Sequence, residues 1–171
     1  MRLGTSLRAL STDVGVDVLS FGGTKNGLVG GEAVVVLNPE LGEELPYIRK
    51  QSLHLASKMR FIAAQFLALF EDDLWLHNAS TANAMARRLE AGVRKVPGVQ
   101  VTRPAQANAV FATVPGAALV PLLEQARFYE WDESTHEVRW MCSWQTTEAE
   151  VDAFVELIRA VVPVHAALSP V

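Results

Sequence analysis

A glycine-rich turn between two short apolar segments is the strongest constraint on how this chain folds. Val16–Phe21 and Ala33–Leu37 have the length and the branched side chains of buried strands. Between them, Gly22-Gly23 and Gly30-Gly31 free the backbone from ordinary steric limits and permit the close approach of another group. The segment therefore predicts a strand, a turn and a second strand.

Lys25 lies on this turn, directly after the first predicted strand. A lysine at such a place is supported by a rigid scaffold while its amine stays free to move, as a Schiff-base lysine requires. Most loop lysines are simply solvated surface residues, and on composition alone that alternative is the commoner one. The glycines around Lys25 favour a ligand site, because a plain hairpin turn needs fewer of them.

The rest of the chain has the pattern of an α/β protein. Apolar spacing predicts helices from Pro39, over Ser52–Phe70, Leu74–Lys95 and Ala117–Ala126, and after Thr147, where Thr147 and Glu150 have capping-box spacing. Residues 1–12 are expected to form an amphipathic helix, and residues 164–171 a frayed tail after Pro163. Further strands are predicted over Val99–Val101, Ala109–Val114, Phe128–Trp131 and Val138–Trp144.

Composition argues against several classes of partner. The net charge of −4, with charged residues at 20%, does not provide the concentrated basic face that nucleic acid requires. No apolar run reaches the length of a membrane span, and residues 1–12 are too short and too polar for a secretory signal. A single cysteine, Cys142, excludes an intramolecular disulfide and fits a reducing compartment. We therefore expect a cytoplasmic protein without nucleic-acid or membrane partners.

Three stretches of the chain resemble one enzyme family. Asp17–Val36 is similar to the cofactor-lysine segment of the low-specificity threonine aldolases, which are aminotransferase-like (fold type I) enzymes that use pyridoxal 5′-phosphate (PLP). Lys58-Met59-Arg60 and Val138–Trp144 match the same family, in the same order along the chain. The resemblance implies that residues 1–72 are the end of the PLP-binding large domain. Residues 73–171 are then the small α+β C-terminal domain.

The resemblance also implies roles for individual residues. Lys25 carries the cofactor, Thr24, Lys58 and Arg60 lie near the cofactor phosphate, and Arg139 binds the substrate carboxylate. The plain alternatives are a turn-stabilising threonine at position 24 and a solvated helix face at positions 58 and 60. For Arg139 the alternative is an outward charge on an alternating strand, although a guanidinium between Val138 and Trp140 favours an anionic partner.

The chain length of 171 residues is about half of what the resembled family requires. We expect the chain to correspond to the C-terminal half, with the phosphate-binding, ring-stacking and pyridine-facing residues upstream. The implied reaction is PLP-dependent cleavage of L-threonine or L-allo-threonine to glycine and acetaldehyde by a homodimer or homotetramer. The isolated chain is expected to be incomplete or inactive. The alternatives are a non-catalytic half that associates with itself or with a separate N-terminal half, and another fold-type-I enzyme such as a β-eliminating lyase.

Other chemistry-bearing residues favour structural interpretations. The histidines lack metal-ligand spacing, Cys142 is expected in the core, and the paired carboxylates are typical of helix starts and turns. Asn108 precedes a strand, where turn chemistry is the ordinary explanation. The histidines and the carboxylate pairs are His54, His77, His136, His165, Asp72-Asp73 and Asp132-Glu133.

Overall fold

The computed structural model describes residues 4–162, which form two compact units. The N-terminal unit comprises residues 4–78 and the C-terminal unit residues 79–162, with the division inside one long helix. The architecture is mixed α/β with small sheets, as the sequence pattern predicts in its coarse form. The domain boundary at residue 72 stays a prediction.

An antiparallel pair of strands forms the centre of the N-terminal unit. Strand β1 (Val18–Gly22) pairs with β2 (Glu32–Val36), so that Gly22 lies opposite Glu32. Both strands are confirmed to within two residues of the predicted ranges. Before them, two 3₁₀ turns at Arg8–Leu10 and Thr12–Val14 replace the amphipathic helix expected over residues 1–12, of which residues 1–3 lie outside the described part.

The helices of the N-terminal unit correct one prediction. After a 3₁₀ turn at Pro39–Leu41 come helices α1 (Leu45–Gln51) and α2 (Met59–Phe70), so Ser52–Phe70 is not one helix. Leu53 adopts a left-handed backbone with φ of 60° and is 90% exposed. Because this leucine buries no apolar surface, nothing offsets the cost of extending a helix through the polar residues around it.

The N-terminal unit has little interior. Phe21 on β1 packs against Phe66 and Phe70 on α2, with ring centroids 6.4 and 5.6 Å away. Among residues 4–78, the buried ones are Gly23, Leu69 and Asn78. Many large apolar side chains of this unit stay exposed, including Val29, Val34, Leu53, Phe61 and Leu67.

The C-terminal unit is an antiparallel sheet with helices that cover one face. The strands β3 (Gln100–Arg103), β4 (Ala109–Thr113), β5 (Tyr129–Asp132) and β6 (Glu137–Met141) pair in the order β3-β4-β6-β5. The helices are α3 (Leu74–Val93, of which residues 79–93 belong to this unit), α4 (Gly116–Gln125) and α5 (Glu148–Val161). All these elements agree with the predicted ones to within a few residues.

One apolar core joins the sheet to the helices. Val110, Ala112, Val138 and Trp140 alternate along β4 and β6 and are fully or almost fully buried. They pack in one cluster with side chains of the three helices, among them Leu89, Val93, Leu122, Val155 and Ile158. Helix α5 begins with the predicted capping box, in which Thr147 and Glu150 satisfy each other's backbone N–H groups.

The predictions at the C-terminus fall outside the described residues. These are the end of the helix at Pro163 and the tail over residues 164–171. Within residues 4–162, the helices are all too short or too polar to cross a bilayer.

Candidate functional site

Lys25 lies on a short 3₁₀ turn, Thr24–Asn26, that joins β1 to β2. Gly27 ends the turn with φ of 116°, a conformation that favours glycine. The N–H of Gly23 donates to the carbonyl of Gly31 at 3.1 Å and closes the loop at its base. The Lys25 side chain is exposed. The turn is therefore a closed backbone loop that presents an accessible amine.

The glycines beside Lys25 are needed for packing within the loop. A Cβ at Gly23 would lie 2.2 Å from Cδ1 of Leu28, and one at Gly31 would lie 3.0 Å from the ring of Phe66. Any larger residue would force these neighbours to move. This close packing explains part of the glycine content that suggested a ligand site in the sequence.

Thr24 stabilises the same turn through its hydroxyl. Its Oγ1 accepts from the N–H of Gly31 at 3.2 Å and donates to the carbonyl of Gly31 at 3.4 Å. These two hydrogen bonds directly support the interpretation of Thr24 as a turn-stabilising residue. The role near a phosphate stays a prediction.

Two asparagines that the sequence analysis did not single out fasten the other end of the turn. The Asn26 carboxamide Nδ2 donates to the backbone carbonyl of Trp75 at 3.0 Å. The Asn78 Nδ2 donates to the backbone carbonyl of Asn26 at 2.9 Å. Asn78 is only 7% exposed. A polar residue within a helical segment was the available signal, but its partner 52 positions away could not be read from spacing.

Lys58 and Arg60 lie at the start of α2 and not in the middle of a helix as predicted. Lys58 occupies the N-cap position, and Arg60 is the second helical residue. Both side chains are exposed, and the guanidinium of Arg60 lies 4.9 Å from the Phe61 ring centroid. The N–H groups of Met59 and Phe61 donate to the carbonyls of Ala56 and Lys58, at 3.1 and 3.0 Å. What this helix start offers an anion is therefore the positive charge of Lys58 and Arg60 together with the helix dipole.

Arg139 lies on β6 in the C-terminal unit, on the sheet face opposite the core. Its neighbours Val138 and Trp140 are buried, whereas Arg139 is half-buried among aromatic rings. Its Cζ lies 4.8 Å from the Trp131 ring centroid and 5.5 Å from that of Tyr129. The Nε of Arg139 is buried and has no hydrogen-bond partner among the described residues.

A second arginine on the same face of the sheet, Arg103, has an ion-pair partner. Arg103 stacks on Phe111 at 3.8 Å and pairs with Glu137 at 2.9 Å. Phe111 lies directly opposite Arg139 in the strand register, so the two arginines flank one aromatic row. Arg103 is therefore already paired with a carboxylate, whereas the Nε of Arg139 is buried without a partner among residues 4–162.

The predicted site residues thus fall into three places. Thr24 and Lys25 share one turn, and Lys58 and Arg60 share one helix start, both within the N-terminal unit. Arg139 belongs to the C-terminal unit.

The remaining candidates have structural roles. His136 Nδ1 lies 3.1 Å from Oε1 of Glu130 in the β5–β6 hairpin. Asn108 donates its Nδ2 to the Cys142 carbonyl at 2.8 Å, a contact between the neighbouring strands β4 and β6 and not the local turn contact that was expected. Burial raises the pKa of the Cys142 thiol to about 11, as expected for a core cysteine. No group of three metal-ligating side chains occurs in residues 4–162, and His165 lies outside them.

The paired carboxylates also belong to turns. Asp132 accepts from the hydroxyl and the N–H of Ser134, and these hydrogen bonds hold the pKa of its carboxyl below the ordinary value. Asp72 and Asp73 both adopt left-handed backbone conformations between α2 and α3. Neither pair has the arrangement of an acid–base couple.

A cavity of about 290 Å³ lies beside the connection between β3 and β4 in the C-terminal unit. Its lining contains none of the residues predicted from the sequence and consists of Arg103, Pro104, Gln106, Ala107, Ala109 and Phe111. With Arg103 already paired to Glu137, the cavity offers little to a charged ligand.

Comparison with known proteins decides the relationship. The low-specificity L-threonine aldolases of Pseudomonas sp. (strain NCIMB 10558) and of Pseudomonas aeruginosa are each 44% identical to this chain over 160 residues. The chain is similar to the low-specificity L-threonine aldolases over nearly its whole length. The recognition made from the glycine turn and the Arg139 strand is confirmed. No family model matches the chain.

The match to the threonine aldolases covers most of this chain but only part of each relative. The aligned residues are 93% of this chain and 46% of each Pseudomonas enzyme, so the chain spans about half the length of the curated relatives it matches. A solved structure of Leishmania major threonine aldolase superposes with a TM-score of 0.78 at 28% identity. That match covers 86% of this chain and 44% of the Leishmania chain.

Proposed function

We propose that this chain carries the cofactor lysine and the carboxylate-binding arginine of a PLP-dependent threonine aldolase. The observation that carries the proposal is the exposed side chain of Lys25 on a hydrogen-bonded turn, in a chain 44% identical to L-threonine aldolases. When bound, PLP supplies an electron sink for the charge that develops at the substrate α-carbon. The proposed reaction is cleavage of L-threonine or L-allo-threonine to glycine and acetaldehyde.

The residues of the chain fit this chemistry. The Nζ of Lys25 is accessible for covalent attachment of the cofactor and, once released, can accept or return a proton. Arg139 carries a half-buried planar guanidinium, the group that pairs best with the two oxygens of a carboxylate. The rings of Trp131 and Tyr129 restrict its orientation and exclude water from one side.

Binding of the cofactor phosphate is proposed for Thr24, Lys58 and Arg60. The two exposed basic side chains at the start of α2 supply positive charge for a phosphate. The Thr24 hydroxyl would exchange its long 3.4 Å bond to Gly31 for a phosphate oxygen.

This chain aligns with 46% of each Pseudomonas enzyme, and we propose that a complete site also uses residues that this chain does not supply. We therefore propose a cytoplasmic assembly, either a homodimer or homotetramer or a complex with a separate N-terminal half. The base for the substrate hydroxyl then lies outside this chain, and the isolated chain binds PLP weakly without turnover.

Reductive trapping tests the role of Lys25. The full chain is incubated with PLP, treated with borohydride and mapped by peptide mass spectrometry, with and without a separately expressed N-terminal half of a relative. We expect the label on Lys25 and its loss in Lys25→Ala. Lys50→Ala, which removes another exposed lysine of the N-terminal unit, is the matched control and should leave the label in place. A label that persists in Lys25→Ala and maps to another residue would refute the proposal.

A non-catalytic, associating role is the second candidate, because the N-terminal unit leaves so many apolar side chains exposed. Val29 is 95% exposed and Leu67 is 73% exposed. Surfaces of this kind are found where another chain binds. Light scattering at high concentration should show oligomers or aggregates, and a stable monomer would argue against this role.

A further inference from the structure

The turn that bears Lys25 is fastened to the start of α3 by two reciprocal hydrogen bonds. Asn26 donates to the carbonyl of Trp75, and Asn78 donates to the carbonyl of Asn26, at 3.0 and 2.9 Å. All three residues belong to the N-terminal unit. We call Asn26 and Asn78 the asparagine pair.

Asn78 is an unfavourable residue at its position in free-energy terms. Asparagine has low helix propensity, and a buried carboxamide costs free energy unless it is hydrogen-bonded. Asn78 is nevertheless 7% exposed, in a unit where few other residues are buried. A leucine or alanine would satisfy the helix better, so the carboxamide is explained by what it binds.

What Asn78 binds is the backbone next to Lys25. Lys25 is preceded by Thr24, whose hydroxyl bonds to both backbone groups of Gly31. It is followed by Asn26, which the asparagine pair fastens to α3. Both neighbours of Lys25 are therefore fixed, while its own side chain stays exposed.

We propose that the asparagine pair positions Lys25 for covalent bonding, an inference that rests on the proposed function of Lys25 as the cofactor lysine. An amine that must reach one carbonyl carbon gains from a fixed backbone, because small displacements of a reacting group reduce rates strongly. Asn26 and Asn78 are positioning residues that act through Lys25 and need not touch the cofactor.

Hydrogen exchange of the full chain without PLP tests the fastening itself. In Asn78→Ala and in Asn26→Ala we expect amide exchange over residues 23–31 to accelerate about five- to tenfold, the effect of losing one net hydrogen bond. Asn38→Ala is the matched control, because it also removes an asparagine side chain that is hydrogen-bonded within the N-terminal unit, to Asp17 and to the N–H of Glu40. It should leave exchange over residues 23–31 unchanged.

Borohydride trapping with PLP as the probe tests the effect on Lys25. The measured quantity is the label on Lys25 divided by the label on Lys95 of the C-terminal unit. We expect this ratio to fall about tenfold in Asn78→Ala and also in the isosteric Asn78→Asp, whose ionised carboxylate cannot donate to the Asn26 carbonyl. Asn38→Ala should keep the wild-type ratio. Asn26→Ala removes the less buried partner and serves if Asn78 variants fold poorly.

The two proposals fail in different ways. If wild-type Lys25 is labelled but the ratio is unchanged in Asn78→Ala, Asn78→Asp and Asn26→Ala, the positioning role is wrong and the cofactor role stands. If wild-type Lys25 takes no label even with an N-terminal half present, the proposed function is wrong and the positioning role falls with it. If exchange over residues 23–31 also accelerates in Asn38→Ala, the asparagine pair contributes only to the stability of the N-terminal unit, and the positioning role is wrong.

Discussion

The two units of this chain differ in how they obtain stability. The C-terminal unit buries a continuous apolar cluster between one sheet face and three helices. The N-terminal unit forms a two-stranded ribbon and short helices with Leu69 as its one buried large apolar residue among residues 4–78. A two-stranded ribbon is marginally stable alone. The contrast indicates that the C-terminal unit can sustain its own fold, whereas the N-terminal unit, which bears Lys25, depends on further contacts.

Matched leucine truncations in the two units should give the largest difference. Leu122 in α4 is fully buried, and Leu67 in α2 is 73% exposed. Leu122→Ala should lower the free energy of unfolding by about 2–5 kcal/mol, because it leaves a cavity in a packed core. Leu67→Ala should change it by less than about 0.5 kcal/mol. Urea unfolding followed by circular dichroism measures both, and equal effects would show that the surface around Leu67 is covered in solution.

The reactivity of Cys142 gives an intermediate effect and reports on the C-terminal unit alone. Its pKa of about 11, against an ordinary 9.0, leaves about a hundredfold less thiolate near pH 8. Alkylation by iodoacetamide should therefore be at least about a hundredfold slower in the native chain than in urea. If Cys142 of the native chain is alkylated about as fast as in urea, the core of the C-terminal unit does not protect the thiol, and the contrast between the two units is wrong.

Acid sensitivity at Glu90 should give the smallest effect. Burial tends to raise the pKa of Glu90, but hydrogen bonds from Arg94 and from the N–H of Ala105 outweigh it and hold the pKa below 4.5. A lowered pKa in the folded state means that the carboxylate stabilises the fold above about pH 4.5 and that this contribution is lost as pH falls through the folded pKa. Glu90→Gln should cost about 1 kcal/mol at pH 7 and less near pH 3.

Parallel denaturation curves of wild type and Glu90→Gln at pH 7 and pH 3 measure that difference. The control is Glu156→Gln on α5, where the exposed carboxylate pairs with Arg159 of the same helix. A pH-independent difference for Glu90→Gln would contradict the assigned hydrogen bonds.

Much of the fold was predictable because local signals agree with the final packing. Alternation along β4 and β6, the capping box of α5 and the glycine turn each specify their structure within a few residues. The prediction of one helix over Ser52–Phe70 was wrong at its N-terminal end, where the apolar residues are not buried. Leu53 is apolar, as a helix core position requires, but no other element covers it. For the same reason, Lys58 and Arg60 lie at the start of a helix and not in its middle as predicted.

The sequence by itself singled out Lys25 and Arg139 as candidate site residues, because one lies on a glycine-rich turn and the other between apolar strand residues, in segments that resemble the threonine aldolases. Their proposed roles stay predictions. Only the tertiary structure decided how those two residues are supported. The asparagine pair at Lys25 and the rings of Trp131 and Tyr129 at Arg139 come from other elements of the fold. Hydrogen bonds and ring contacts of this kind depend on distances in space, and a linear pattern specifies only distances along the chain.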